Sequence, residues 1–286
     1  CSSGPPDPIV GNHTYVSHQT VSAAAIVPVD ASGKVCVFNS TATQLIVDVM
    51  GSFDAGGVYQ RVTPERLRDT RETGGHPGGT ELRLTMPPPF DDADGVVLNV
   101  TAVAGPTSDG FVKVYGCDDP LPLTSNLNFG PGRIVPNVAV ADPSASGEVC
   151  FLPNQQADLV VDLFGGFEGD GVEVADPRRG LDTREPKGSP KPVAGSVLRI
   201  DTGVVGASAA FVNVTATEPA TAGWLRVFTC DAPPPIELTA NLNFLAGQTI
   251  GNFAVVEPNA AGEVCVQSNT TTHVVVDVMG TLGSGF

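Results

Sequence analysis

Three kinds of residue in this chain could do chemistry: cysteines, carboxylates set inside apolar runs, and arginines that close a D-T-R motif. Asp48, Asp162 and Asp277 each sit in a V-D-V or V-D-L run. A carboxylate there either faces water or needs a charged partner, because burying it alone is strongly unfavourable. Arg71 and Arg184 follow Asp69 and Asp182 in D-T-R, and a guanidinium fork could supply that partner. The structural reading is a polar clasp of Asp69, Arg71 and Asp162, repeated by Asp182, Arg184 and Asp277, with Arg71 expected on Asp162 and Arg184 on Asp277. The functional reading is a recurring pocket for a polar ligand. Buried polar groups usually answer one another, so the clasp ranks first. By the same argument Asn99, Asn126, Asn128, Asn213, Asn241 and Asn243 are expected to bond turn or edge backbone before any sugar.

The cysteines recur at matching places about every 115 residues. Cys1, Cys117 and Cys230 open one set of segments; Cys36, Cys150 and Cys265 lie in GKVCVF, GEVCFL and GEVCVQ. Six cysteines allow fifteen pairings, and the repeat singles out Cys1–Cys36, Cys117–Cys150 and Cys230–Cys265. Each would close a loop of about 35 residues and contribute roughly 3–4 kcal/mol. Bonds of this kind persist in oxidising surroundings, so a secreted or cell-surface location is expected. A zinc site lacks any C-x-x-C pair, and a lipid-modified Cys1 ranks below the disulfide.

Catalytic patterns are weaker. His13, His18, His76 and His273 recur at no equivalent positions and form no metal motif. No cofactor, metal site or enzymatic activity is expected. Asp91, Asp92 and Asp94 lack the ligand spacing of a calcium loop and read as a solvated turn. Phe111 and Trp224 follow a glycine at matching places and would suit a carbohydrate platform if exposed, although strand aromatics are more often core.

These residues are positioned by a repeated element. Residues 57–168 and 169–286 read as two full modules, and 1–56 as the C-terminal half of a third, with GNHTYVSHQT matching ANLNFLAGQT and LIVDVMGSF matching VVVDVMGTL. With 33 Gly and 25 Pro and many Val and Thr, the chain favours strands and turns over helices. Each module predicts about eight strands, for the middle copy VYQRVTP, ELRLTM, GVVLNVTAV, GFVKVYG, TSNLNFG, VPNVAVA, GEVCFLP and DLVVDLFGG. Two packed four-stranded sheets would bury the apolar faces, giving an all-β tandem array of disulfide-stapled β-sandwiches. A weaker hairpin echo within the module leaves a β-trefoil as the alternative. The net charge of −16 would repel phosphate backbones, which excludes nucleic acid as a partner, and the apolar runs are too short to span a bilayer.

The ordered series RLRDTR or GLDTR, VLNVTA or VNVTA, SNLNF or ANLNF, and IVDVMG or VVDLFG resembles an uncharacterised repeat of secreted and surface proteins of actinobacteria and acidobacteria. The resemblance implies extracellular β-modules in arrays. The first half-copy departs from the pattern, with Thr14 and Tyr15 in place of Asn-Phe and Ala23 where the others have Asn137 and Asn252. Two functions follow as expectations. One is a structural or adhesive surface protein, a stalk, fibre or filament segment whose partners are neighbouring modules or copies of itself in head-to-tail assembly. The other is a carbohydrate-binding array with Phe111 and Trp224 at the glycan. Strands that complete the half-module are expected to come from upstream sequence or a neighbouring subunit.

Overall fold

The computed structural model describes residues 11–54, 56–105, 107–169, 172–174, 177–233 and 240–283. The middle repeat has eight strands: β1 (Tyr59–Asp69), β2 (Leu82–Thr85), β3 (Gly95–Ala104), β4 (Gly110–Gly116), β5 (Leu127–Phe129), β6 (Ile134–Ala141), β7 (Glu148–Pro153) and β8 (Ala157–Phe167). They form two antiparallel sheets, ordered β1-β8-β3-β6 and β2-β7-β4-β5. The C-terminal repeat adds β9 (Val172–Glu173), β10 (Arg178–Asp182), β11 (Val197–Asp201), β12 (Ala209–Thr217), β13 (Gly223–Thr229), β14 (Leu242–Phe244), β15 (Ile250–Val256), β16 (Glu263–Ser268) and β17 (His273–Leu282). Its sheets repeat the same orders, β10-β17-β12-β15 and β11-β16-β13-β14, with β9 on β17. The fold is all-β and sandwich-like. The trefoil alternative is set aside, because the strands of each full repeat fall into two antiparallel sheets of the same order.

Side-chain alternation explains the two cores of each sandwich. On β3, Val96, Leu98, Val100 and Ala102 meet Val112, Val114, Leu127, Phe151, Leu159 and Leu163 inside the module. Val97, Asn99 and Thr101 point to the other face, which is buried as well. β3, β8, β12 and β17 are therefore covered on both faces, which is why they read as nearly continuous apolar runs. The second sheets carry on their outer face only a small buried cluster round each disulfide, Tyr115, Cys117 and Cys150 in one and Phe228, Cys230 and Cys265 in the other, and their edge strands β2 and β11 alternate exposed and more buried positions.

A disulfide joins Cys117 to Cys150 and another joins Cys230 to Cys265. Cys36 is disulfide-bonded; its expected partner Cys1 lies outside the described residues. Bonds of this kind form in oxidising compartments and are rare in the reducing cytosol. Among the described residues no helix is long and apolar enough to cross a membrane.

The strands expected in the first half-copy are not formed: residues 11–54 carry no strand. The physical reason lies in the strand order. In a full repeat β3 sits between β8 and β6, and β4 between β7 and β5. The half-copy has the counterparts of β5, β6, β7 and β8 without the two central strands, so there is no ladder to join.

Candidate functional site

The site most completely built by this chain is the surface on which its repeats meet. A shared apolar cluster takes equivalent residues from all three copies: Ala24, Val138 and Phe253 from one position, and Phe53, Phe167 and Leu282 from another. Phe164 and Met279 join it from bulges in β8 and β17, where the register steps past one residue. The next residue is glycine in both strands; a Cβ at Gly165 would lie 2.3 Å from the Gln60 carbonyl oxygen. An aromatic row crosses the repeats, with ring centroids 5.6 Å apart for Phe53–Phe167, 5.3 Å for Phe167–Phe211 and 6.0 Å for Phe211–Phe253. The Tyr59 hydroxyl donates to the Phe164 carbonyl at 2.9 Å, and burial pushes its pKa up.

Asparagines bond the copies in a fixed sense. Asn137 Nδ2 of the middle repeat donates to Asn213 Oδ1 at 3.0 Å and to its own repeat's Asn126 carbonyl at 2.6 Å. Its Oδ1 accepts from the Phe253 N–H at 3.0 Å, and Asn213 Nδ2 donates to the Ser125 carbonyl at 2.8 Å. The same contacts recur one step round. Asn252, the counterpart of Asn137, donates to its own Asn241 carbonyl at 2.5 Å and accepts from the Ala24 N–H of the half-copy at 3.2 Å. Asn99, the counterpart of Asn213, donates to the Gly11 carbonyl at 3.3 Å. Each copy thus touches the other two in one rotational sense, the pattern of a pseudo-threefold ring.

Among the described residues three buried side-chain atoms lack a hydrogen-bond partner: Asn99 Oδ1, Asn126 Nδ2 and Asn128 Nδ2. All lie in this interface, and the ring explains two of them. Asn213 Oδ1 receives its bond from Asn137, and the residue placed to serve Asn99 in the same way is Ala23, which has no amide. Asn243 Nδ2 donates to Ser22 Oγ at 2.6 Å, and the residue placed to serve Asn128 is Gly251. A Cβ at Gly251 would lie 2.8 Å from Thr215 Oγ1, which keeps that position bare.

The polar clasp exists with a different arginine, which corrects the expected pairs Arg71–Asp162 and Arg184–Asp277. Arg66 Nε binds Asp162 Oδ1, and its Nη1 reaches Asp69 at 3.3 Å. Arg179 repeats this with Asp277 at 2.5 Å and Asp182 at 2.6 Å. Arg71 and Arg184 fold back on Asp69 and Asp182, each at 2.5 Å. The reason is local. Asp69 caps the 3-10 turn Thr70–Thr73 and accepts the Arg71 N–H, so the following side chain is held beside the cap, while Arg66 and Arg179 stand opposite Asp162 and Asp277 in the ladder. The sequence signal was the full motif R-x-x-D-T-R, present in both copies.

The two kinds of carboxylate titrate in opposite directions. The Arg71 and Arg184 side-chain bonds hold Asp69 and Asp182 below the ordinary range. Burial raises Asp162 and Asp277 despite their arginines; the side chains are 1% and 2% exposed.

The remaining candidates do not converge. Phe111 and Trp224 are half-buried at the starts of β4 and β13, and their backbone N–H groups are held by Asn154 and Asn269. His76 and His273 are buried, bonded to the Thr80 carbonyl and the Thr183 hydroxyl. Asp91, Asp92 and Asp94 line an open cleft with Asp142 and Glu173. Among the described residues no group of three or more His, Cys, Asp or Glu is placed to hold a metal ion.

No protein-family model and no curated protein matches this chain. Among solved structures, a peptide-N(4)-(N-acetyl-β-D-glucosaminyl) asparagine amidase aligns at 9% identity and TM-score 0.38, covering 78% of this chain and 97% of that one. A tandem CBM22 domain pair of Paenibacillus barcinonensis Xyn10C aligns at 12% identity and TM-score 0.20, covering 71% of this chain and 83% of that one. Beside this amidase likeness the expectation of no enzymatic activity is withdrawn. At these TM-scores neither likeness assigns an activity, a ligand or a site residue to this chain.

Proposed function

We propose that this chain is an extracellular structural or adhesive block of a bacterial surface, a segment of a stalk or fibre whose repeats act as one rigid unit. The observation that supports this reading is the repeated asparagine-bonded, aromatic-lined interface, which spends the most specific residues of every copy on the neighbouring copies. Disulfides across the second sheets stiffen the outer walls of the same unit, as suits a protein outside the reducing cytosol. Partners on this reading are further repeats and further copies.

Immunogold labelling of intact cells of the producing bacterium, with antibody raised against the folded chain, tests the proposal. Gold on the outer surface or on appendages is the expected result. Label confined to sectioned cytoplasm, with none on intact cells, would contradict it. Retention on insoluble polysaccharide through Phe111 and Trp224, abolished by alanine at both, would move the assignment to glycan binding.

A further inference from the structure

The first repeat is held in place on one side and open on the other. Its Ala24 N–H is bound by Asn252, its Ser22 hydroxyl by Asn243, and Ile26 and Phe53 pack into the shared core. Yet Leu45, Ile46, Val47 and Val49 are exposed, Ile46 by 89% and Val49 by 86%. Their counterparts Leu159, Val160, Val161 and Leu163 are all buried, and so are Val274, Val275, Val276 and Val278. Val37 and Phe38, which correspond to Phe151 and Leu152 on β7, are likewise exposed. In the full repeats two strands lie between these elements: β3 between β8 and β6, and β4 between β7 and β5.

We propose that residues 11–54 form an open slot whose occupant is a β-hairpin with the repeat's own first-half pattern, an Asn-Val-Thr strand followed by a returning strand that starts at a glycine. Continuity with the existing interface specifies this chemistry. Asn99 and Asn213 on β3 and β12 donate to the carbonyls of Gly11 and Ser125 in the preceding copy. The corresponding carbonyl of the C-terminal repeat is that of Ala240, and an Asn-Val-Thr strand in the slot would bring the third such asparagine to it. That bond closes the ring. Asp48, exposed in the half-copy, would take the place of Asp162 and Asp277 beside the occupant's asparagine, as Asn99 and Asn213 stand opposite those aspartates. A strand entering this slot gains ladder bonds on both sides and covers the exposed valines, which an edge-on contact or a glycan would not do.

Amide hydrogen exchange on the full chain tests this, alone and with a copy of residues 57–116 joined ahead of Cys1, so that β4 precedes Cys1 as it precedes Cys117. Amides of 45–50 are expected to exchange freely in the chain alone and to slow by about a hundredfold in the extended chain. If the extension disturbs the fold, seen as lost protection in β12 and β17, a synthetic hairpin of residues 95–116 added to the unextended chain takes its place. Unchanged exchange of 45–50 with the occupant supplied would overturn the proposal. Protection of 45–50 in the chain alone would also overturn it, in favour of a self-closed fold if the chain is monomeric and of a second copy if it is dimeric.

Discussion

At the level of single residues, the ion pairs divide into one that anchors and one that decorates. Arg66 serves the buried Asp162 and is 26% exposed; Arg71 serves Asp69 beside a cap and is 51% exposed. Removing Arg66 leaves a buried carboxylate without its nearest cation, so Arg66→Ala should cost about 3–5 kcal/mol of unfolding free energy in a denaturant titration. Arg71→Ala should cost no more than about 1 kcal/mol. Equal losses would show that the clasp is misassigned. The pH dependence has two arms. Asp162 and Asp277 have raised pKa values, so the folded state holds more protons than the unfolded one between the unfolded and folded values, and their contribution to stability grows as pH falls through that window. Asp69 and Asp182 have lowered values, so the stability they contribute is present above the ordinary carboxylate range and is lost as pH falls below it. The contribution of these four carboxylates should therefore peak within the ordinary carboxylate range. The double variant Asp162→Asn, Asp277→Asn should flatten the arm above the peak; comparison with the parent separates this from the general relief of a net charge of −16. An unaltered upper arm would contradict the assignment.

At the level of elements, much was legible and the failures have physical causes. Alternation and turn residues fix the eight strands of each full repeat, and matched cysteines on β7 and β16 mark their disulfides. The choice of arginine was not legible from D-T-R alone, because a cap two residues away holds Arg71 locally while the strand register delivers Arg66. Residues 11–54 carry strand-like sequence without strands, since pattern describes a side-chain face and a ladder needs a partner. The asparagines were visible as a recurring set, but their role depends on contacts between residues up to 228 positions apart, as for Ala24 and Asn252. Ala23 was visible as a departure from the pattern, and its consequence is the orphaned Asn99 Oδ1. Ala23→Asn restores the missing donor and should stabilise the chain by about 1 kcal/mol in thermal or denaturant unfolding. No gain, or a loss, would show that the half-copy does not follow the ring geometry at this position.

At the level of the whole molecule, the repeats are not beads on a string. Sheets β1-β8-β3-β6 and β10-β17-β12-β15 turn one face to their own module and the other to the neighbouring copies. A substitution in one repeat should therefore be felt in the next, which a chain of independent modules would not allow. The most direct measurement is a double-mutant cycle at the Asn137–Asn213 bond, with unfolding free energies for the parent, Asn137→Ala, Asn213→Ala and the double variant. A single locked block predicts a coupling of about 1 kcal/mol, inside the 0.5–3 kcal/mol range of residues that share a network. Effects that add to within about 0.3 kcal/mol would mean that the copies fold independently, and would contradict the account.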